Sequence, residues 1–212
     1  MFNKDEKLTF INRTADGMVG HIKGRAEYEY FKEGFIDLCA DINQCLTIWT
    51  GETWIGDPKT KKTKSAFQRF FSAFHCMICN IQDNSERYSR DELEYVKRIV
   101  FHGTVYRYLG SADPYNKTVI KPDYNDIYVS WSKEPESSYI ESKLYGPMTW
   151  LSADIQKPFF GIDLEGVEKA FLALSGKKCM ISRGTEREVV FPTIKDCITE
   201  VKYIEDEEDD QT

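Results

Sequence analysis

Residues 186–192 read EREVVFP, and this segment decides the fold of the second half of the chain. Its β-branched and aromatic residues predict a short strand, and Pro192 is typical of a strand end. Because successive side chains of a strand alternate between its two faces, Glu186 and Glu188 are expected to face the same side. Two carboxylates held that close together repel each other unless they meet a cation or take part in chemistry. The segment therefore predicts a functional site.

Further strand-like segments surround this one in the second half of the chain. They are rich in β-branched and aromatic residues, and loop signals such as Lys121-Pro122-Asp123 flank them. The segments predicted as strands are 104–109, 126–131, 159–164, 179–182 and 187–191. Two short helices are predicted among them, at 136–145 and 167–175.

The first half of the chain has helical periodicity instead. Apolar residues recur at steps of three and four from Phe31 to Trp49 and again from Phe67 to Ile81, which predicts two amphipathic helices. The sequence Ser89-Arg90-Asp91-Glu92 has the pattern of a capping box, so a third helix is expected to begin there. The basic segment 57–64 between the first two helices is expected to be a turn.

These patterns predict an α+β protein. A helical region at 1–98 is expected to pack on a strand-rich module at 99–203, and an acidic tail follows at 204–212. Hydrophobic residues make up 41% of the 212, which is enough for a packed core. Most of the net charge of −7 comes from the acidic run 205–210, which is expected to be solvated. Overall charge therefore argues neither for nor against a nucleic-acid partner.

The distribution of apolar residues and cysteines indicates a cellular compartment. We see no apolar run typical of a signal peptide or a membrane span, so the expectation is a cytoplasmic protein without a membrane partner. The six cysteines have no disulfide-framework spacing, which favours reduced thiols. His75-Cys76-x-x-Cys79 lies on a helical stripe, and we interpret it as core packing rather than a metal site.

Two other strand patterns contain residues suited to chemistry. Arg107 stands in the middle of an otherwise apolar strand, and a guanidinium in that position is costly unless it meets an anion. In the next strand, Tyr128, Ser130 and Ser132 are expected on one face and the apolar residues on the other. That pattern predicts a face lined by hydroxyl groups.

The order of these elements resembles the mono-ADP-ribosyltransferases that use an Arg–Ser–Glu triad. Tyr106-Arg107 is similar to the aromatic-Arg element of that family, Ser130-Trp131-Ser132 to its Ser-Thr-Ser element, and 186–192 to its Glu-x-Glu segment. The resemblance covers residues 100 to 195. Tyr108 departs from it, because the family usually has glycine after the arginine, and a bulkier residue there would narrow the nicotinamide pocket.

The resemblance implies a core of two small packed β-sheets around a cleft for NAD, which is a substrate of the reaction. It implies that Glu188 stabilises the positive charge that develops on the ribose as nicotinamide leaves. Ser130 would hydrogen-bond Glu188 and fix its rotamer. Arg107 would bind a phosphate of NAD, and Glu186 would orient the acceptor and take its proton.

A second branch of the family, with a His–Tyr–Glu triad, offers a competing assignment. The sequence Phe101-His102-Gly103-Thr104 resembles its His-Gly-Thr element, and Tyr128 could supply the tyrosine. His102, Gly103 and Tyr128 are therefore also candidate NAD-binding residues. We favour Arg107 with Ser130, because Glu-x-Glu followed by VVFP belongs to the Arg–Ser–Glu branch. Both assignments use Glu188.

The sequence leaves the acceptor and the partners open. A glutamate at position 186 accompanies modification of protein arginine in the family, whereas the basic segment 57–64 would suit RNA or DNA. Tyr139 and Phe159 are candidates to stack on nicotinamide. An intracellular toxin or phage-conflict factor with a neutralising, antitoxin-type protein partner is one hypothesis. A non-catalytic interaction protein on a degenerate transferase scaffold is the remaining alternative.

Overall fold

The computed structural model describes residues 4–24, 34–51, 58–111, 118–124, 127–135, 145–181 and 187–204. The chain divides into two compact units. The first unit comprises residues 1–100 and 162–183, and the second comprises 101–161 and 184–212. None of the described helices is both long enough and apolar enough to cross a membrane.

The first unit is helical. Its described helices are α1 (Lys4–Lys23), α2 (Phe35–Gly51), α3 (Pro58–Asp83), α4 (Arg90–Ile99) and α5 (Leu164–Ser175), with a short 3-10 helix at Ser85–Arg87. Side-chain caps fix several of the ends: Ser89 forms the complete capping box with Glu92, and Asp163 accepts a hydrogen bond from the backbone N–H of Glu165. Gly176 ends α5 in the left-handed conformation that glycine adopts without strain.

Aromatic side chains fill the core of this helical unit. Trp49 of α2 packs edge-on against Phe67 and Phe71 of α3, with ring centroids 5.3 Å and 4.9 Å apart. Phe70 and Phe74 of α3 are also fully buried. Burial of several large rings is a strong source of stability, so the helical unit has a core of its own.

The second unit is built on an antiparallel sheet. The described strands are β1 (Val100–Phe101), β2 (Gly103–Ser111), β3 (Tyr128–Ser132), β4 (Tyr145–Ile155), β5 (Gly161–Asp163), β6 (Glu188–Pro192) and β7 (Ile198–Ile204). They form one sheet in the order β1-β5-β6-β3-β2-β4-β7. The short strands β1 and β5 contain the residues at which the chain passes from one unit to the other.

One face of the sheet carries the core of the second unit. Its buried residues are Val105, Trp131, Leu151, Ala153, Ile155, Val189, Phe191 and Cys197. The indole N–H of Trp131 donates to the backbone oxygen of Phe191, 3.0 Å away, which satisfies the one polar atom of that ring. Alternation then assigns the neighbouring residues of each strand to the opposite face.

The α+β class is confirmed, as are helices at the two aromatic stripes, after the capping box and at 167–175. Strands are also confirmed at 104–109 and over most of 126–131. The segment 162–183, which the sequence analysis placed with the strands, groups with the helices because α5 packs on α4 and α2.

The described strands belong to one seven-stranded sheet, and the core of two packed sheets around an NAD cleft stays a prediction. Other expectations about the fold are wrong. Residues 179–181 are not a strand, and the basic segment from Pro58 onward is the beginning of α3 and not a turn. Helix α1 and strands β4 and β7 were not predicted. The helix expected at 136–145 lies outside the described residues except for Tyr145, which begins β4.

Candidate functional site

The three strands that carry the sequence motifs are neighbours in the sheet. Glu188 begins β6, Ser130 and Ser132 lie on β3, and Arg107 lies on β2. These strands occur in the order β6-β3-β2, with antiparallel pairing at both contacts. Segments separated by more than 50 residues in the sequence thus meet within the width of three strands.

Strand register determines which of these side chains are opposite one another. Ser132 pairs with Glu188 on one side and with Tyr106 on the other. Directly opposed residues of antiparallel strands have Cβ atoms about 5 Å apart and point to the same face. Glu188 and Ser132 are both buried, with 7% and 2% of their surface exposed. The carboxylate, the hydroxyl and the phenol ring of Tyr106 therefore form one row.

The register distinguishes the two serines of β3 by their distance from Glu188. The residue opposite Ser130 on β6 is Val190, which lies two residues along the strand from Glu188. The serine directly opposite Glu188 is Ser132, whose Oγ also accepts a hydrogen bond of 3.0 Å from the backbone N–H of Glu134. Sequence alone could not choose between the two serines, because both lie on the same face of β3 and only the register separates them.

Arg107 reaches the same strands from the other face. It pairs with Leu151 and shares the side of Val105, whereas Glu188 and Ser132 lie on the opposite side. Its Nη1 donates a hydrogen bond to the backbone oxygen of Ser130. That carbonyl is on β3, so the guanidinium bridges β2 and β3 near the rung at which the two strands pair.

The charge of Arg107 is perturbed by this position. Burial lowers the pKa of its guanidinium to about 10, and the nearby carboxylate of Glu188 acts in the opposite direction. The group remains a cation at neutral pH. A guanidinium has five N–H donors, and the bond to Ser130 is the hydrogen bond that the described part of the chain provides for it. Arg107 can therefore bind a further acceptor such as a phosphate oxygen.

Aromatic rings continue the row away from Glu188. The ring of Tyr106 stacks on that of Trp150, with centroids 5.5 Å apart, and Nζ of Lys202 lies 4.5 Å from the centroid of the Trp150 ring. The hydroxyl of Tyr108 donates to the backbone oxygen of Pro135 over 3.0 Å. Sequence reasoning missed Trp150 because it did not find β4. The ring beside the carboxylate and serine is therefore Tyr106.

The two rings proposed from the sequence for nicotinamide stacking are not in this row. Tyr139 lies outside the described residues. Phe159 precedes β5, with 39% of its surface exposed. Tyr108, where the family usually has glycine, is partly buried, and its hydroxyl bond to Pro135 directs the side chain along the strand ends.

The alternative triad residues are not brought together. His102 is exposed between β1 and β2, whereas Tyr128 pairs with Pro192 at the far end of β3. β2 and β3 pair at Tyr106 and Ser132, and His102 and Tyr128 lie four residues from that rung in opposite directions. Gly103 has a φ of 136°, and a side chain there would press on the ring of Phe101. The glycine thus has a structural explanation.

Glu186 lies outside the described residues, so its position relative to Glu188 stays a prediction. Two glutamates at this spacing face the same side only when the residue between them is extended. Arg187 has a φ of 42° instead, and β6 begins only at Glu188. A left-handed residue breaks the alternation of a strand, so the spacing of two no longer assigns both carboxylates to one face.

No group of three or more His, Cys, Asp or Glu side chains that could hold a metal ion occurs among the described residues. Cys39 and Cys45 are buried in the helical unit, and Cys76 is exposed. Burial raises the pKa of the Cys45 thiol to about 12, so this thiol is a poor metal ligand and nucleophile.

Comparison with known proteins identifies no relative. The chain matches no model of a known protein family, no curated protein and no solved structure. The chemistry of the site therefore has to be argued from its own residues.

Proposed function

We propose that the protein is an NAD-dependent ADP-ribosyltransferase whose chemistry takes place at Glu188. The observation that carries the proposal is the adjacency of β6, β3 and β2, which brings a buried carboxylate, a serine pair and a partly buried arginine onto consecutive strands. Withdrawing a carboxylate and a cation from water is costly, and such groups cluster where a ligand or a reaction uses them.

The proposed reaction breaks the bond between C1′ of the ribose and the ring nitrogen of nicotinamide. The bonding electron pair leaves with nicotinamide, which becomes neutral, and positive charge develops at C1′ and the ring oxygen of the ribose. The carboxylate of Glu188 stabilises that charge in a site with little water around it. The acceptor then forms a new bond to C1′ and loses a proton to a base, for which Glu186 is the candidate.

The remaining residues bind and orient the substrate. Arg107 starts from the other face of β2, but its guanidinium reaches the backbone oxygen of Ser130 and lies within electrostatic range of Glu188. It remains charged at neutral pH and has further donors for the pyrophosphate. Ser132 lies opposite Glu188 and limits the rotamers of its carboxylate. Tyr106 is the next residue in the row. Because Trp150 stacks on the ring of Tyr106, the edge of that ring is the part offered to nicotinamide.

The test is release of nicotinamide from NAD, with cell lysate as the source of acceptors. Wild type is expected to release nicotinamide, and Glu188→Gln is expected to lose at least about 100-fold in rate, since it removes the charge that stabilises the transition state. Glu200→Gln is the matched control, because Glu200 lies in the same row at the opposite edge and is exposed. Absence of turnover in wild type and in both variants would show that the protein is not such an enzyme and would support a non-catalytic role.

The acceptor is either a protein side chain such as arginine or a nucleic acid. The glutamate at position 186 supports the first, and the basic residues at the beginning of α3 are the support for the second. Transfer of labelled ADP-ribose followed by separate protease and nuclease treatment separates the two. Label that survives nuclease and is released by protease identifies a protein acceptor, and the reverse pattern identifies RNA or DNA.

The cellular consequence is a further part of the proposal. An enzyme that modifies macromolecules inside the producing cell would arrest growth unless a partner protein neutralises it. Expression of wild type is therefore expected to be toxic, and expression of Glu188→Gln at an equal level is expected to be tolerated. If the two proteins were equally toxic, the growth effect would not come from the proposed chemistry.

A further inference from the structure

Arg187 has an unusual backbone conformation directly before the proposed catalytic carboxylate. Its φ of 42° makes it the single non-glycine residue with positive φ among the described residues. Side chains with a Cβ rarely adopt this region, and the conformation persists only where surrounding contacts impose it. Arg187 immediately precedes Glu188, so the direction in which β6 starts depends on it.

Two contacts join Arg187 to the end of β3, and a third lies within residues 132–134. Nη1 of Arg187 lies 2.6 Å from Oε1 of Glu134, and the backbone oxygen of Arg187 accepts a 3.3 Å hydrogen bond from the N–H of Lys133. The N–H of Glu134 donates in turn to Oγ of Ser132, which is the register partner of Glu188. These contacts thus connect residues 132–134 with residues 187–188 around the Ser132–Glu188 pair.

The contribution of these contacts to folding stability does not explain the left-handed backbone of Arg187. The ion pair is exposed, with 53% and 40% of the two side chains accessible, and exposed ion pairs contribute little to folding. The left-handed conformation of an arginine is itself unfavourable. Unfavourable backbone geometry that is retained next to a buried carboxylate indicates a positional role.

We propose that Arg187 is a positioning residue: its left-handed backbone, held by Glu134 and Lys133, sets the orientation of Glu188 against Ser132. The inference rests on the proposed function for its catalytic meaning, since Glu188 is the group that would act on NAD. It gives the middle residue of the Glu-x-Glu segment a task that neither glutamate performs.

Two substitutions of Arg187 separate its backbone from its charge. Arg187→Gly removes the guanidinium but accepts a positive φ without strain, whereas Arg187→Val removes the same charge and strongly disfavours a positive φ. Glu134→Gln removes the charge that holds the guanidinium, so the strained backbone of Arg187 is expected to relax, whereas glycine at this position needs no such support. The double variant Glu134→Arg with Arg187→Glu reverses the pair and keeps the local net charge.

Each variant is measured in two ways, after thermal unfolding has shown that it folds. The first is kcat and KM for nicotinamide release. The second is the ¹³C chemical shift of the Glu188 side-chain carboxyl, assigned by its loss in Glu188→Gln, which needs no turnover. Arg187→Val is expected to lower kcat about tenfold or more with KM within about threefold, and to move the Glu188 signal. Arg187→Gly is expected to remain within about threefold of wild type and to keep the signal in place.

The ion-pair variants complete the comparison and provide a second route should Arg187→Val not fold. Glu134→Gln is expected to lower kcat severalfold and to move the Glu188 signal, and the reversed pair is expected to restore both at least in part. A wild-type signal and rate in Arg187→Val, or in Glu134→Gln where Arg187→Val does not fold, would refute the positioning role. Equal effects of Arg187→Gly and Arg187→Val would refute it as well, because the backbone would then not be the cause.

Failure of the proposed function is recognised separately. If wild type releases no nicotinamide, the enzyme proposal fails, and the chemical-shift measurements still decide whether Arg187 sets the position of Glu188.

Discussion

Each of the two units buries a glutamate, and the surroundings of the two side chains differ. Glu92 in α4 and Glu188 in β6 have 4% and 7% of their surface exposed. Oε2 of Glu92 accepts hydrogen bonds from the N–H and the hydroxyl of Ser89, at 2.7 Å and 2.6 Å. Its Oε1 lies 3.2 Å from Nε2 of His21 in α1. Glu92 thus completes a helix cap and a contact between two helices.

Glu188 has partners of another kind. It lies opposite Ser132 and within electrostatic range of Arg107, and both come from strands that are distant in the sequence. A capping glutamate is explained by the backbone N–H that it satisfies. The carboxylate of Glu188 lies where three strands meet, with a partly buried cation nearby, so its surroundings depend on contacts between distant segments. The comparison teaches that burial alone does not identify a functional acid, and that the origin of its partners is more informative.

The largest expected effect tests this difference directly. Glu92→Ala removes the capping box and leaves His21 without its carboxylate, so it is expected to lower the free energy of unfolding by about 3 kcal/mol. Glu188→Gln is expected to abolish NAD turnover. It is expected to change the free energy of unfolding by less than about 1 kcal/mol, because removing the charge also removes the electrostatic cost of burying it. Denaturant unfolding and nicotinamide release measure the two quantities.

Glu92→Gln is the control for this pair, because glutamine can still complete the capping box. It is expected to lose less stability than Glu92→Ala. The contrast between the units would be wrong if Glu188→Gln destabilised the protein as much as Glu92→Ala does.

A pair of glycines gives the next largest effect. A Cβ at Gly166 in α5 would collide with the backbone oxygen of Arg98, which cannot move without disturbing α4. A Cβ at Gly161 in β5 would collide with the side chain of Val189, which can rotate. We expect Gly166→Ala to cost about 3 kcal/mol and Gly161→Ala about 1 to 2 kcal/mol, because overpacking against fixed atoms relaxes less.

The activity of the same variants sharpens the comparison. Val189 follows Glu188 directly, so Gly161→Ala is expected to lower nicotinamide release severalfold in the fraction that is folded. Gly166→Ala is expected to leave the rate of the folded fraction unchanged. Thermal unfolding monitored together with the rate checks both, and a loss of rate confined to Gly166→Ala would contradict the assignment of the site to β6.

The helices could be predicted from the sequence because their determinants are local. The aromatic stripe of α3 repeats every three or four residues, and the capping box of α4 lies within Ser89 to Glu92. Strand β4 could not, because Gly146 and Pro147 near its start and the polar Ser152 and Asp154 do not resemble a strand. Its pairing with β2 and β7 makes it one, and that pairing is a property of the whole sheet.

The site was predictable to the same extent. The pattern around Glu188 is local, and the strand that it predicts is present as β6. The position of Ser132 opposite Glu188 depends on the register between β3 and β6, and the left-handed Arg187 forms an ion pair with Glu134, 53 residues away. Neither is encoded in a short window of sequence, and the strand alternation is established only from Glu188 onward.

Alkaline pH provides a smaller test that concerns the sheet unit. Burial lowers the pKa of Arg107 to about 10, below its ordinary value, so the folded protein binds fewer protons than the unfolded one between that pH and the ordinary value. The free energy of unfolding therefore rises with pH through that window. Below the window Arg107 is charged in both states, so the full cost of desolvating its charge destabilises the folded state. Relative to Arg107→Met, wild type is expected to gain on the order of 1 kcal/mol of unfolding free energy as the pH rises through this window. A constant difference between the two proteins from neutral pH upward would show that the guanidinium is not desolvated.

Acidic pH provides the smallest test and concerns the helical unit. Burial lowers the pKa of His75 on α3, so the folded state favours the neutral imidazole. As the pH falls through the ordinary range of histidine, the unfolded chain takes up a proton that the folded chain resists, and stability decreases. We expect His75→Gln to reduce this loss between about pH 7 and 5, and the sign is that of the Arg107 effect because both are bases whose pKa is lowered on folding. Unfolding free energies of wild type and variant across that range measure the difference, and their carboxylate contributions cancel because both proteins carry the same acids. Parallel curves would mean that water reaches the ring in the folded state. A difference confined to the acidic range for His75 and to the alkaline range for Arg107 would show that each unit carries its own buried base, of which only that of the sheet unit retains its charge at neutral pH.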